Sequence, residues 1–128
     1  MSVAEAKCEA AFDQAVAGLK PRLEAASAVV TRDELPTIRG DQTEVQEVFQ
    51  ALIGNALTFR SDRPPRVHAW AFKDDAGWVF AVRDNGAGVP PGDGTVSRTR
   101  AIVERRGGRL WDEPNPRGGS TFYVMLPE

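Results

Sequence analysis

The sequence predicts an α/β two-layer sandwich, in which a mixed, mostly antiparallel sheet carries about three helices on one face. Three observations lead there. Segments with helical spacing are interleaved with short β-like runs along the chain. Hairpin patterns dominate the second half, which favours antiparallel pairing. The length of 128 residues suits one core and one domain, spanning 1–128, and is too small for two.

The elements follow in order. Residues 3–24 read as a helix, with Cys8, Phe12, Val16, Leu19 and Leu23 at spacings of three and four on one face. Pro21 lacks an amide donor and is expected to kink or end it. Residues 28–31 and 36–39 are two short β-like runs. Gly40-Asp41 then starts the strongest helix. Asp41 can cap it, and Glu44 stands three residues later, as in a capping box. Val45, Val48, Phe49, Leu52, Ile53 and Ala56 form its apolar stripe. A turn covers 61–65, and strands over 66–72 and 78–83 flank a hairpin loop at 74–77. A glycine-rich stretch follows. Residues 95–106 read as a third helix, stopped by Gly107-Gly108. Strands at 110–111 and 121–126 close the chain, joined by a turn rich in Pro, Asn and Gly.

Composition narrows the function classes. The net charge of −2 argues against a polyphosphate-binding surface, so nucleic acid is not an expected partner. No apolar run is long enough to cross a membrane, and the N-terminus lacks a signal-peptide layout. One cysteine, Cys8, cannot form an internal disulfide. A reducing cytoplasm is the expected compartment, with Cys8 a buried thiol.

Three stretches carry candidate chemistry. In 44-EVQEVFQALIGNALTF-59, Asn55 lies deep in a strong helix although asparagine is a mediocre helix former. Taken alone, it reads as an exposed or capping amide; the functional reading is a metal or phosphate ligand on the helix flank. In 84-DNGAGVP-90, Asp84 ends a strand and small residues alternate with glycines, which let backbone approach a ligand closely. A strand-end carboxylate can accept a hydrogen bond from an exocyclic amine, and Asp-Asn-Gly is also ordinary turn chemistry. In 118-GGSTFYVMLPE-128, a glycine turn precedes a C-terminal strand.

The order of these stretches resembles the ATP-binding catalytic domain of sensor histidine kinases, a Bergerat-type ATPase fold shared with DNA gyrase and MutL. The resemblance covers nearly the whole chain, including the Leu-Pro and Gly-Asp that precede the asparagine helix in 33-DELPTIRGDQTEVQEVFQALIGNALTFR-60. It implies ATP or ADP with magnesium as cofactor. Asn55 matches the magnesium-holding asparagine, whose side-chain oxygen suits a hard cation bridging phosphates. Asp84 matches the aspartate that reads the adenine amino group, Gly86 and Gly88 the glycines shaping the base pocket, and Thr121 a threonine near the adenine.

The phosphate side departs from the pattern. Ala51 stands where the family has a second asparagine, and Thr58 where it has a lysine. Glu47, two turns before Asn55, is a poor replacement. The stretch 91-PGDGTVSRTRAIVE-104 leaves no room for the family's long lid, and Asp93 and Thr95 occupy glycine places. Gly92 and Gly94 could form a small anion nest, while Arg98 and Arg100 read as a solvated helix face. Several charge-assisted contacts, about 1.5–3 kcal/mol each, are thereby lost. The expected function is a degenerate, pseudokinase-type module of two-component signalling. It binds ATP weakly or not at all and works through a partner such as a histidine-phosphotransfer or dimerisation domain or a response regulator. The alternative is an active kinase domain that phosphorylates a histidine on a separate dimerisation domain. The one histidine, His68, falls in a predicted strand and lacks the acidic neighbour of a phosphoacceptor.

Overall fold

The computed structural model describes residues 5–87, 96–116 and 118–127. In chain order the elements are β1 (Glu5–Lys7), α1 (Cys8–Gly18), α2 (Lys20–Ala25), β2 (Val29–Arg32), β3 (Thr37–Arg39), α3 (Gln42–Thr58), β4 (Arg66–Lys73), β5 (Gly77–Asp84), α4 (Ser97–Arg105), β6 (Arg109–Pro114) and β7 (Ser120–Pro127). A five-stranded sheet runs β2-β4-β5-β7-β6, and β1 and β3 form a separate two-stranded ribbon. The β2–β4 pairing is parallel; β4–β5, β5–β7 and β6–β7 are antiparallel. This is the expected sandwich, built with one more helix.

The extra helix comes from the N-terminal segment, where one helix over 3–24 was expected. Residues 5–7 are instead drawn into β1, where Ala6 faces Ile38 and is fully buried. The rest divides at Leu19, whose backbone (φ −103°, ψ 5°) leaves the helical path just ahead of Pro21 at the start of α2. The apolar face survives the break: Cys8, Ala11, Phe12, Ala15, Leu19 and Leu23 are all buried, and Val16 is half-buried. Burial pushes the Cys8 thiol up to about 12, so it is inert.

Helix α3 lies at the centre because its stripe is apolar on three sides. Val45, Val48, Phe49, Leu52, Ile53, Ala56 and Leu57 are buried. Phe49 joins the layers, with edge-on contacts to Phe12 of α1 at 5.2 Å and to Phe80 of β5 at 5.8 Å between ring centroids. The Asp41 carboxylate caps the helix, accepting from the amides of Thr43 (2.8 Å) and Glu44 (3.2 Å). The reciprocal half of a capping box is not made. The Glu44 carboxylate turns away to Arg105 (3.0 Å) and Arg106 at the end of α4, since two guanidiniums attract it more strongly than one amide.

The helix-facing side of the sheet presents Val67, Ala69, Phe80, Val82, Phe122 and Val124 to this core. Alternation sends the intervening residues to the other face. There Trp111 stacks on Tyr123 at 5.3 Å, and Arg83 lies over the Trp70 ring at 5.7 Å. Antiparallel sheets commonly leave one face to solvent.

Candidate functional site

Two elements meet at the site: the C-terminal half of α3 and the loop that follows β5. Asp84 is the last residue of β5, and the strand's alternation points its side chain toward the helices, in line with Phe80 and Val82. It is buried, at 8 % exposure. Its Oδ1 accepts from the Gly86 amide at 2.8 Å. Burial raises its pKa, while the backbone amides of Gly86 and Ser120 pull the other way. A carboxylate has about four acceptor positions, so these two amides leave capacity for a further donor.

The loop is tied to α3 by backbone. The Ala87 amide donates to the Phe59 carbonyl at 2.7 Å, and the Phe59 amide donates to the Asn55 carbonyl at 2.9 Å. Gly86 sits so close to this corner that a Cβ there would lie 2.6 Å from the Phe59 carbonyl oxygen. Its glycine serves close packing against the end of α3. Asn85 fixes the outer side: its Nδ2 donates to the Pro64 carbonyl (3.1 Å) and its Oδ1 accepts from the Arg66 amide (2.8 Å). Gly88, Gly92, Gly94, Asp93 and Thr95 lie outside the described residues.

Asn55 is the second anchor. It is not the exposed amide that its segment alone suggests: it is 7 % exposed, and its Nδ2 is buried without a hydrogen-bond partner among the described residues. Buried amides in native proteins are nearly always paired, with protein, ordered water or a bound group. Asn55 borders a cleft of about 640 Å³ beside α3, shared with Ala51, Gly54, Thr58, Arg98 and Thr99. Thr99, in the first turn of α4, is buried. Arg98 is exposed, whereas Arg100 donates from Nη1 to the Leu110 carbonyl at 2.7 Å and so braces α4 on β6.

Thr121 is placed differently from Asp84. It is opposite Arg83, on the sheet face turned from the helices, and its hydroxyl donates to Asn115 Oδ1 at 2.7 Å. Its neighbour Ser120 is the residue whose amide reaches Asp84. Asn115 also donates from Nδ2 to the Asp84 carbonyl at 3.1 Å. Ser120, Asn115 and the Phe59 carbonyl therefore belong to the surroundings of Asp84, and the Ser120 contact, made by a backbone amide, leaves no mark in residue type. Arg22 was also missed. It donates from Nη2 to Thr58 Oγ1 at 3.2 Å, across 36 residues of sequence. His68 makes structural contacts, with Nδ1 2.7 Å from Thr31 Oγ1 and Nε2 3.2 Å from Asp33 Oδ1.

The candidate site thus joins a helix flank carrying a buried asparagine, through the end of that helix, to a strand-end aspartate on a helix-on-sheet fold. Comparison with known proteins places this fold in a family. The family described as histidine kinase-, DNA gyrase B-, and HSP90-like ATPase matches residues 40–128. The chain belongs to this family, as a histidine kinase-type ATPase domain of two-component systems. It is 34% identical over 136 residues to the phytochrome-like protein Cph1 of Synechocystis sp., a match covering 90% of this chain and 18% of that protein. Cyanobacterial phytochrome A of Nostoc sp. is also 34% identical, over 93% of this chain and 18% of its own length. The chain thus spans about a fifth of the length of these two relatives. In fold, the catalytic domain of histidine kinase ThkA superposes with a TM-score of 0.81 at 17% identity, covering 99% of this chain and 96% of that one. No helix among the described residues is long and apolar enough to cross a membrane.

Proposed function

We propose that this chain is a nucleotide-sensing module of two-component signalling that keeps the adenine side of its site, binds ATP weakly, and acts through a partner protein. The observation that carries the reading is Asn55, whose amide is buried on the flank of α3 with Nδ2 unpaired among the described residues. Its chemistry fits the family's magnesium nucleotide, because an asparagine oxygen is a hard ligand and the amide nitrogen can donate to phosphate. Asp84 would take the adenine amino group on its remaining acceptor positions, with Gly86 and Gly88 shaping the base pocket. Thr121 would act on the base from beneath, through Asn115 and the strand, rather than by direct contact. The bound magnesium would supply charge neutralisation for the phosphates.

The phosphate side supports weak binding. Ala51 offers the cleft no ligand, and the Thr58 hydroxyl is spent on the Gly54 carbonyl at 3.0 Å. Phosphoryl transfer depends on positioning and charge around the phosphates, so catalysis suffers more than adenine recognition. A partner then carries the output, either a dimerisation or histidine-phosphotransfer domain or a response regulator, in the cytoplasm. One observation favours a second reading, an active kinase domain acting on a histidine of a separate dimerisation domain: Arg22 and Arg98 bring positive charge to the same cleft.

Calorimetric titration with ATP and ADP, with and without magnesium, separates these readings. We expect a Kd on the order of 0.1–1 mM, weakened by Asn55→Ala and abolished by Asp84→Asn. Micromolar, magnesium-dependent ATP binding would overturn the degenerate reading. No binding at millimolar nucleotide would overturn the nucleotide reading altogether.

A further inference from the structure

We infer that Arg22 is the phosphate-side cation of this domain, supplied from α2 in place of the positive charge that position 58 of α3 lacks. The inference rests on the nucleotide reading above and names the residue that would hold the anionic end of the ligand.

The guanidinium lies along the exposed flank of the last turns of α3. Its Nη2 donates to Thr58 Oγ1 at 3.2 Å. Its Nη1 is the atom that a Cβ on Gly54 would meet, at 3.6 Å. Gly54 therefore leaves the flank bare enough for the arginine to rest on it. Both contacts border the cleft that Asn55 also borders.

The charge is not otherwise used. Thr58 Oγ1 already donates to the Gly54 carbonyl, so toward Arg22 it is a neutral acceptor. Among the described residues Arg22 makes no ion pair, whereas Arg32, Arg105 and Arg106 are all paired with carboxylates. A guanidinium has five N–H donors in a fixed fork that matches phosphate oxygens. Most of these remain available. The wall of the cleft also carries Arg98, and one carboxylate, Glu47, which opposes an anion.

The second sign of a ligand is independent of Arg22. Asn55, more than nine-tenths buried, lines the same cleft, and its Nδ2 has no partner among the described residues. An anion held by the free guanidinium donors would sit in the cleft that Asn55 lines. A lysine projecting from position 58 and an arginine reaching position 58 from α2 deliver charge to the same place by different routes. The arginine route carries a structural condition, because α2 must stay docked on α3 for the charge to be there.

The test is a parallel titration of magnesium ATP and of adenosine, followed by amide NMR, into the wild type, Arg22→Ala and Arg22→Gln. Glutamine keeps a donor for Thr58 and removes only the charge. We expect both variants to bind ATP about tenfold more weakly while adenosine binding is unchanged, and the salt dependence of ATP binding to flatten. Adding Thr58→Lys to Arg22→Ala should recover the ATP affinity. Wild-type ATP affinity in Arg22→Gln, or an equal loss of ATP and adenosine, would overturn the assignment to Arg22 and leave the nucleotide reading standing. Failure of the wild type to bind either ligand would remove both.

Discussion

In the proposed function, Asp84 concentrates the conflict between folding and binding in one residue. Its carboxyl is buried, and burial raises its pKa. The folded state therefore holds a proton more tightly than the unfolded chain. Linkage sets the sign: the associated stability is present in acid and is lost as pH rises through the raised value. At neutral pH the ionised carboxylate is a cost to the fold. Asp84→Asn keeps an acceptor for the amides of Gly86 and Ser120 and removes the charge. Thermal melts should show the variant more stable than the wild type at pH 7, with the gap closing toward and below the ordinary value of 3.8. A less stable variant at pH 7 would show that the two amides outweigh burial. Gly119 is the other sensitive position nearby. Its φ is +86°, and a Cβ would run into the Asp84 carbonyl. Gly119→Ala should cost about 1–3 kcal/mol in denaturant unfolding, because left-handed backbone and steric overlap add at one residue.

At the scale of elements, the Glu44 clamp joins the start of α3 to the end of α4. The two arginines lower the pKa of Glu44, Arg106 first and then Arg105. Its contribution is present above the ordinary value of 4.5 and is lost as pH falls through the depressed value below it. The clamp is partly solvated, so Glu44→Gln should cost no more than about 1 kcal/mol. Chemical denaturation at pH 7 and in acid measures this, and the difference between variant and wild type should vanish in acid. The same residue marks what could be read from sequence. Periodicity and capping residues identified α3 and the β4–β5 hairpin because those signals are local. Glu44 looked like half of a capping box for the same reason, and its true partner lies 62 residues away. Arg22 on Thr58 and Ser120 on Asp84 depend likewise on packing between distant segments. The break between α1 and α2 was half visible: Pro21 signalled it, but the capture of residues 5–7 by β3 had no local sign.

For the whole molecule, Phe49 is the keystone, touching Phe12 on one side and Phe80 on the other. Phe49→Ala should cost about 3–5 kcal/mol, a large share of the about 5–15 kcal/mol that holds a domain folded. Calorimetric melting should show one transition, shifted far down. The Asp84 loop and the cleft beside Asn55 would fail together, since the end of α3 braces one and its flank lines the other.

The β1–β3 ribbon has a further consequence. The segment that resembles the wider family begins at residue 40, within the two residues that separate β3 from α3. Everything before that point is outside the family match, yet it provides α1, the ring of Phe12, the edge strand β2 and Arg22. The family model and the packed core thus have different borders, although the matches to the two phytochromes and to the ThkA domain reach into this front third as well. A chain trimmed to residues 40–128 would retain Asn55, Asp84 and the Gly-Gly-Ser-Thr stretch while exposing the side of Phe49 that meets Phe12 to water. It should behave as an expanded, dye-binding globule in circular dichroism and ANS fluorescence. Adding back residues 1–39 as a separate peptide is the corresponding reconstitution, and recovery of a sharp melting transition would show that the front third of the chain completes the fold.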